Sequence, residues 1–564
     1  MYTLGISCYY HDSAATLLKN GHIFAAFEEE RFSRKKHDNS FPYQAIRECL
    51  RVAKIDINQV DRIAYYEKPL LKFERILQNF VETYPFSLPL FTNAIPSWLS
   101  EKINIENTLR KRLDYHGNIY FVPHHLSHAS AAYFTSPFQH AAIFTADAVG
   151  EYATLSVWRA TNNSITLLKS IHFPHSLGLF YSTITAFLGF TVNEDEQKVM
   201  GMAAYGKPRY VKKLQKIIRL HPDDSLCMDL TYFSYLQKDQ MWSKKLERIL
   251  GKPRIPGSPL TKRHMDIARS TQEIMESLYN SILTHLYTVT GEKNLCIGGG
   301  VALNALANGK IYDQTPFLRV FNFGPAGDGG GSLGAALFCY FANTRKKRQP
   351  VTTLNFGNTY DNKDIEKYLK RFGNRFSYRK YGKRALILKA AQLLSANKVL
   401  GWFQEKAEFG PRALGARSIL ANPKDVSMKE KINLIKKRER FQPFGISILR
   451  NHVKNYILLP PEQKDFPFMN FCFPAKEEFR GRISAVIHKD NTCRIQTVTK
   501  ENGIYFDLIS AFYKKTGTAG VLNTSFNLSG QPLVEHPGQA VEMFINEAID
   551  VLVIGNFVVT KKEK

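Results

Sequence analysis

The feature that most constrains the fold is a segment order that occurs twice. Residues 2–7 read as a strand and 8–12 as a polar loop, followed by strands at 14–18 and 23–27 joined through Asn20-Gly21. Asn-Gly between apolar runs marks a tight hairpin, because both residues tolerate the positive φ that a twisted two-residue turn requires. The same order returns as a strand at 141–146, a loop at 147–150, a strand at 153–158, a turn at 161–163 and a strand at 165–171. Repetition of this kind predicts a duplicated α/β domain. The chain has 564 residues, and single cores stop growing beyond about 250–300, so at least one more domain is expected.

Two further loops follow strands. Residues 294–297 run into Gly298-Gly299-Gly300 and then Asn304; residues 320–323 run into Gly324, Gly327 and Gly329. Glycine clusters between a strand and a helix let backbone N–H groups approach a phosphate closely, which favours nucleotide binding over a purely structural turn. Two formal motif matches fail on detail. Gly329-x-Gly331-x-x-Gly334 starts several residues after its strand and has no acid about 20 residues on, and the loop from Gly201 to Lys207 has Pro208 where a magnesium-binding hydroxyl belongs.

A candidate metal site is readable in Val122-Pro123-His124-His125-Leu126-Ser127-His128. His124 and His128 are one helical turn apart, so their imidazoles share a face, and Asp147 at the end of strand 141–146 is placed to complete a coordination shell. A capping and packing pair is the alternative. Residue 125 is His where a zinc peptidase needs Glu as its base, which argues against peptide hydrolysis.

Lysine and arginine outnumber acids 76 to 50, but the basic clusters recur along the whole chain instead of forming one stripe, which weighs against a nucleic-acid groove. Seven scattered cysteines without C-x-x-C spacing fit a reducing compartment. With no leader-like start and no apolar run near the ~18 residues of a span, the expectation is a soluble cytoplasmic protein with no membrane span. Oligomeric state is not encoded in any pattern here. Boundaries are expected at 1–345, a linker region 346–384, and a second folded unit 385–564, with a helix over 428–440.

Several long motifs in this order carry a resemblance: Tyr10-His11-Asp12, Glu28-Glu29-Glu30-Arg31-Phe32-Ser33-Arg34, His124-His125-x-x-His128-Ala129, Lys198-x-Met200-Gly201-x-Ala203-x-Tyr205-Gly206, Phe409-Gly410-Pro411-Arg412-Ala413-Leu414-Gly415-Ala416-Arg417-Ser418 and Leu522-Asn523-Thr524-Ser525-Phe526-Asn527. Together they resemble the O-carbamoyltransferases of the nodulation and antibiotic-tailoring family, which work in secondary-metabolite and glycan modification. The resemblance implies an actin/sugar-kinase-like first domain and a second domain like the synthases of threonylcarbamoyl-adenylate. It implies two steps: carbamoyl phosphate and ATP form carbamoyl-adenylate in the second domain, and the carbamoyl group passes to a hydroxyl of a small molecule or glycan in the first, with AMP leaving.

That scheme assigns roles. The metal ligands are His124, His128, Asp147 and Asp328, for iron or another divalent ion, with magnesium accompanying ATP. His11, beside Asp12, is the candidate general base, a backbone-bonded turn histidine being the equal alternative. Joining two polyanions needs fixed cations, for which Arg412, Arg417, Lys436, Arg438 and Arg494 stand as candidates, with Asn523, Ser525 and Asn527 as neutral donors. Family members usually carry Lys-x-Arg-Glu-x-x-Arg-Pro-Phe; here Gln442 holds the second arginine position, and Arg440 is the nearest substitute charge. Residues 70–115 and 207–265, rich in aromatic and basic side chains, are expected as insertions around the acceptor. The competing readings are a tRNA-modification ATPase-like protein and a non-catalytic ATP-binding scaffold.

Overall fold

The computed structural model describes residues 1–223, 225–373 and 375–562. The chain folds as two compact units, the first comprising residues 1–25 and 39–350, the second 26–38 and 351–564.

The first unit carries the duplication in its topology. Strands β1 (Tyr2–Ser7), β2 (Ala14–Lys19), β3 (His22–Glu28), β4 (Arg62–Tyr65) and β5 (Asn118–Phe121) form one sheet in the order β3-β2-β1-β4-β5. Strands β6 (His140–Ala146), β7 (Ala153–Thr161), β8 (Ser164–His172), β9 (Asn294–Gly298) and β10 (Arg319–Asn322) form a second in the order β8-β7-β6-β9-β10. Position by position the two orders are the same. In each, the first strand is antiparallel to the second and parallel to the fourth, which is parallel to the fifth. This is the duplicated actin and sugar-kinase architecture. The first hairpin turns through left-handed Asn20 and Gly21, at φ 52° and 82°, as the sequence requires.

An insertion after β4 opens with helix α1 (Pro69–Thr83). Each copy then closes with a helix after its last strand: α2 (His124–Phe134) after β5 and α3 (Asp328–Phe341) after β10. The two cross closely. A Cβ built on Gly334 of α3 would lie 1.8 Å from the Ser127 carbonyl oxygen of α2. The glycines of 329–334 therefore lie inside a packed helix, where absent side chains let backbones meet, and not in a phosphate-binding turn.

The second unit is built on a mixed nine-stranded sheet. Its strands are β11 (Phe376–Lys380), β12 (Leu400–Phe403), β13 (Arg417–Ala421), β14 (Gly445–Leu449), β15 (Phe471–Pro474), β16 (Thr492–Val498), β17 (Gly520–Ser525), β18 (Val551–Ile554) and β19 (Phe557–Lys561), in the order β11-β19-β18-β12-β13-β17-β14-β16-β15. The stretch 346–384, expected as a linker, carries helix α4 (Asn362–Arg371) and strand β11. Segment 26–38 is grouped with this unit: Arg31 Nη2 donates to the Gly410 carbonyl at 2.6 Å and to Glu28 at 2.6 Å, and Arg34 donates to the carbonyls of Leu533 and Pro532. The helix expected over 428–440 is shorter. Helix α5 (Ser427–Ile435) stops because Lys437 turns left-handed, at φ 53°. Among the described residues, no helix is long and apolar enough to cross a membrane.

Candidate functional site

The symmetry of the first unit puts the starts of α2 and α3 side by side. His124 is the first residue of α2 and Asp328 the first of α3; Asp147 follows β6 directly. The backbone N–H of His124, one of the orphan donors of a helix start, is capped by Glu151 Oε1 at 2.8 Å. His124 Nε2 lies 3.0 Å from His128 Nε2, and His128 Nε2 lies 2.9 Å from Asp147 Oδ2 and 3.4 Å from Asp328 Oδ1. His124 Nε2 stands 3.6 Å from each carboxylate. Both histidines and Asp328 are buried.

These four atoms fit a divalent ion. A first-row metal about 2.0–2.2 Å from each N or O ligand separates its ligands by roughly 3.0–3.6 Å, depending on geometry, which is the spread seen. The donor set of two imidazoles and two carboxylates suits iron, manganese, cobalt or zinc and does not choose among them. The charge balance agrees. Burial opposes charging His128, yet hydrogen bonds and charge from Asp147 and Asp328 override it and push the ring up to about 10; burial likewise opposes ionising Asp147, but His124 and His128 hold it well below the usual carboxylate range. The pocket thus demands positive charge. His125 stays out, its Nδ1 bonded to Thr145 Oγ1 at 3.0 Å, and burial pushes it down to about 3.

The glycine-rich loops serve this cluster. Gly298 ends β9, and Gly299 turns left-handed at φ 86°. A Cβ on Gly300 would meet Asp147 Oδ1 at 2.8 Å, so the loop's close approach is made to a carboxylate ligand. Asn304 caps the helix Ala305–Gln314 by accepting from Ala307 N and exchanges hydrogen bonds with Gln272. Gly327 precedes α3, and Gly329 lies in its first turn.

His11 makes the backbone contact that the alternative to the base reading expects. Its Nδ1 lies 2.7 Å from Asp12 Oδ2 and its Nε2 lies 2.9 Å from the Asn193 carbonyl, so both ring nitrogens face acceptors. Burial disfavours charge, but Asp12 and then Asp328 outweigh it and raise the ring to about 10. An imidazolium donates protons and stabilises negative charge; it does not accept a proton.

The five cations of the second unit separate into two sets. Arg417 is fully buried, donates to the carbonyls of Gln404 (2.6 Å) and Asn358 (3.0 Å), and lies 3.7 Å from the Phe403 ring centre. Lys436 spends its three donors on Ser525 O (2.5 Å), Asn527 O (2.8 Å) and Asn527 Oδ1 (2.7 Å). Both are engaged by protein acceptors, Arg417 leaving its Nε without a partner. The Asn523 amide nitrogen is likewise engaged by Ala413 O and Ser447 Oγ, and that of Asn527 by Gln531 O.

Arg412, Arg438 and Arg494 are different. Arg412 Nε and Arg494 Nε are sealed from solvent with no hydrogen-bond partner. Burial, and then the charge of Arg494, push both Arg412 and Arg438 down to about 9; burial lowers Arg494 as well. Guanidinium stays protonated near neutral pH, so the direction reports burial first and then, at Arg412 and Arg438, the like charge of Arg494, which Glu439 partly offsets at Arg438. The cluster is a ready polyanion site. Gln442 is turned away, donating to Glu439 Oε2 at 2.6 Å, and Arg440 pairs with Glu430 at the surface.

Three neighbours escaped the sequence reading. Glu408 accepts from the backbone N–H groups of Leu414, Ala416 and Arg417 and so shapes the loop that carries Arg412. Lys429, half-buried beside Arg438, sits one turn before Asn433, which anchors Arg438 Nε at 2.5 Å. Cys472 stands directly across the strand pair from Arg494. Only the i, i+4 spacing of Lys429 and Asn433 was available as a signal.

Comparison with known proteins gives two family matches, described as carbamoyltransferase N-terminus over residues 2–337 and carbamoyltransferase C-terminus over 391–561. An uncharacterized protein of Synechocystis is 41% identical, the alignment covering 99% of this chain and 96% of the relative. Nodulation protein NolNO of Sinorhizobium fredii is 34% identical over 98% of this chain and 79% of its own length. Nodulation protein NolO of Bradyrhizobium diazoefficiens is 34% identical over 78% and 79%.

Proposed function

We propose that this chain, which belongs to the carbamoyltransferase family, runs its carbamoyl transfer through carbamoyl-adenylate made in the second unit and consumed in the first. In the first step water releases phosphate from carbamoyl phosphate, and an oxygen of the resulting carbamate displaces pyrophosphate from the α-phosphorus of ATP. Repulsion between the two polyanions is the barrier. Arg412, Arg438 and Arg494 offset it, with Arg438 held by Asn433 and its charge partly offset by Glu439, while the Nε atoms of Arg412 and Arg494 have no partner. That gathering of three guanidiniums, two of them with an unpartnered nitrogen, is the observation that carries the reading.

In the second step a hydroxyl oxygen of a small molecule or glycan attacks the carbamoyl carbon, the bond to the adenylate oxygen breaks, AMP leaves, and the hydroxyl proton is released to solvent. His124, His128, Asp147 and Asp328 would hold a divalent ion there, iron by resemblance, which when bound supplies a Lewis acid. His11, kept protonated by Asp12, is a donor for the negative charge that develops on the reacting carbonyl. Gly298, Gly299, Gly300, Asn304 and Gly327, in the segments that approach the cluster, and Gly329, in the first turn of α3, are the residues assigned to the adenylate's phosphate, their glycines leaving room for a close backbone approach.

The test separates the steps. Wild type is expected to release pyrophosphate from ATP only when carbamoyl phosphate is present, and His128→Ala to keep that release while losing product carbamoylation. Loss of both in His128→Ala, measured on folded protein, would argue against separate sites. Absence of carbamoyl-phosphate-dependent pyrophosphate from wild type would remove the adenylate route.

A further inference from the structure

Helix α1, in the insertion after β4, turns two cations inward at i, i+3 spacing. Lys72 is satisfied: its Nζ donates to Glu67 Oε2 at 2.7 Å and lies 4.3 Å from the ring centre of Tyr10. Arg75 is not. Its Nε is sealed from solvent without a hydrogen-bond partner, and among the described residues its guanidinium has no ion pair. It lies over the face of Phe173, 5.0 Å from the ring centre. The side chain is half-buried, and a sealed guanidinium nitrogen left in this state costs stability, so an anion that pairs with the group is favoured.

The surroundings define that ligand. The groups whose charge reaches Arg75 are Tyr10, Glu67, Glu151 and Tyr152. Glu67 is committed to Lys72, and Glu151 Oε1 accepts from the backbone N–H groups of Lys68 and His124 at 2.8 Å each. Tyr10 stands in the loop after β1 and Tyr152 in the loop after β6, the corresponding loops of the two copies. Glu151 caps the helix that presents His124, so Arg75 is one shell away from the metal-ligand cluster. Tyr152 also reaches α1, its hydroxyl 3.5 Å from Gln78 Oε1. The result is a guanidinium over the face of Phe173, with Tyr10 and Tyr152 near it, beside the metal-ligand cluster.

The geometry points to an acceptor-recognition subsite at Arg75: the hydroxyl acceptor carries an anionic group, a carboxylate or phosphate, that pairs with Arg75 while Tyr10, Phe173 and Tyr152 pack against its carbon skeleton. This rests on acceptor transfer occurring in the first unit. Arginine offers a planar fork that matches either anion with two hydrogen bonds, and aromatic faces accommodate the C–H surface of a polyhydroxylated ring.

Binding, not turnover, tests it on the full chain. By calorimetry, glucuronate and glucose 6-phosphate are expected to bind while glucose does not, and whichever anion binds more tightly identifies the group. Arg75→Met should weaken that binding by more than about tenfold, the scale of one charge-assisted pair, with Arg75→Lys retaining part of it. Arg494→Gln should leave it unchanged, which separates this subsite from the cluster in the second unit. Equal binding of glucose, no binding of either anion, or unchanged affinity in Arg75→Met overturns the assignment. Pyrophosphate release dependent on carbamoyl phosphate is unaffected by any of these outcomes, so failure here and failure of the adenylate route are distinguishable.

Discussion

Gly334→Ala tests whether packing between the two closing helices sets the metal site. The added Cβ would stand 1.8 Å from Ser127 O, where ordinary contact begins near 3.4 Å, so α2 and α3 must part by roughly 1.5 Å in a layer packed to crystal density. Overpacking of a buried backbone contact costs about 1–3 kcal/mol or more, and the gain of about 1 kcal/mol from replacing glycine in a helix offsets only part. A net loss of about 1–2 kcal/mol in urea unfolding is expected. The sharper consequence lies in the site. Ser127 precedes His128 on α2, and Asp328 begins α3, so the parting opens the 3.4 Å His128–Asp328 spacing. Ligand geometry tolerates only about 0.5 Å, so affinity for Co²⁺, followed by its visible absorption, should fall at least about tenfold although no ligand has changed. Gly382→Ala, where a Cβ meets nothing within 4 Å, is the control and should leave both readouts unchanged. Wild-type stability together with wild-type Co²⁺ affinity in Gly334→Ala would refute the coupling.

Two other perturbations follow from buried charge. Arg494→Gln should abolish calorimetric binding of carbamoyl phosphate while leaving the urea midpoint unchanged or higher, because it removes a like charge; Lys436→Met should do the reverse in stability, costing about 2–4 kcal/mol, since it strands three oxygen acceptors. Glu535, buried near Arg417 and Arg31, is pushed up from 4.5 to about 7 by burial, which those arginines only partly offset. The folded state then holds a proton that the unfolded state has lost, so stability falls as pH rises from about 4.5 to about 7; Glu535→Gln should flatten that fall and unfold later than wild type at pH 8. A midpoint for Glu535→Gln that tracks wild type across this window would count against it.

What the sequence revealed and what it hid follow a physical division. The first three strands of each copy were legible because alternation and the Asn20-Gly21 turn are local, and the duplication was legible because it repeats a local pattern, whereas β4 and β5, short strands flanking the insertion, were not read. His124 and His128 were legible through helical spacing, and Asp147 through its place at a strand end. Asp328 lies far along the chain and looks like any loop carboxylate. The family resemblance named it, and the pseudo-symmetry explains it, as the residue that opens α3 where His124 opens α2. The glycines of 329–334 are the converse case, a dinucleotide-like spacing set aside for its offset and missing acid. Their spacing imitates a phosphate loop, yet the backbone of Ser127, 207 positions earlier by residue number, explains the need for Gly334; no local pattern reports a helix crossing.

The cations make the same point with more consequence for function. Arg412, Arg417, Lys436, Arg438 and Arg494 are alike in the sequence, but Arg417 and Lys436 are buried while Arg412, Arg438 and Arg494 are half-buried. Arg417 and Lys436 are held where the chain places carbonyl oxygens around them, and those oxygens come from residues as distant as Asn358 and Asn527. A buried charge whose donors all find protein acceptors is part of the fold, because removing it strands those acceptors. A buried charge whose donors find none is a cost that folding alone does not repay, so it marks a place where something else binds. Arg412 and Arg494 in the second unit and Arg75 in the first are half-buried side chains whose Nε has no partner, whereas Arg417, whose Nε is also unpartnered, is fully buried with both Nη groups bonded to carbonyls. The difference between scaffold and site is thus carried by hydrogen-bond satisfaction, a property of three-dimensional neighbours that residue type does not encode.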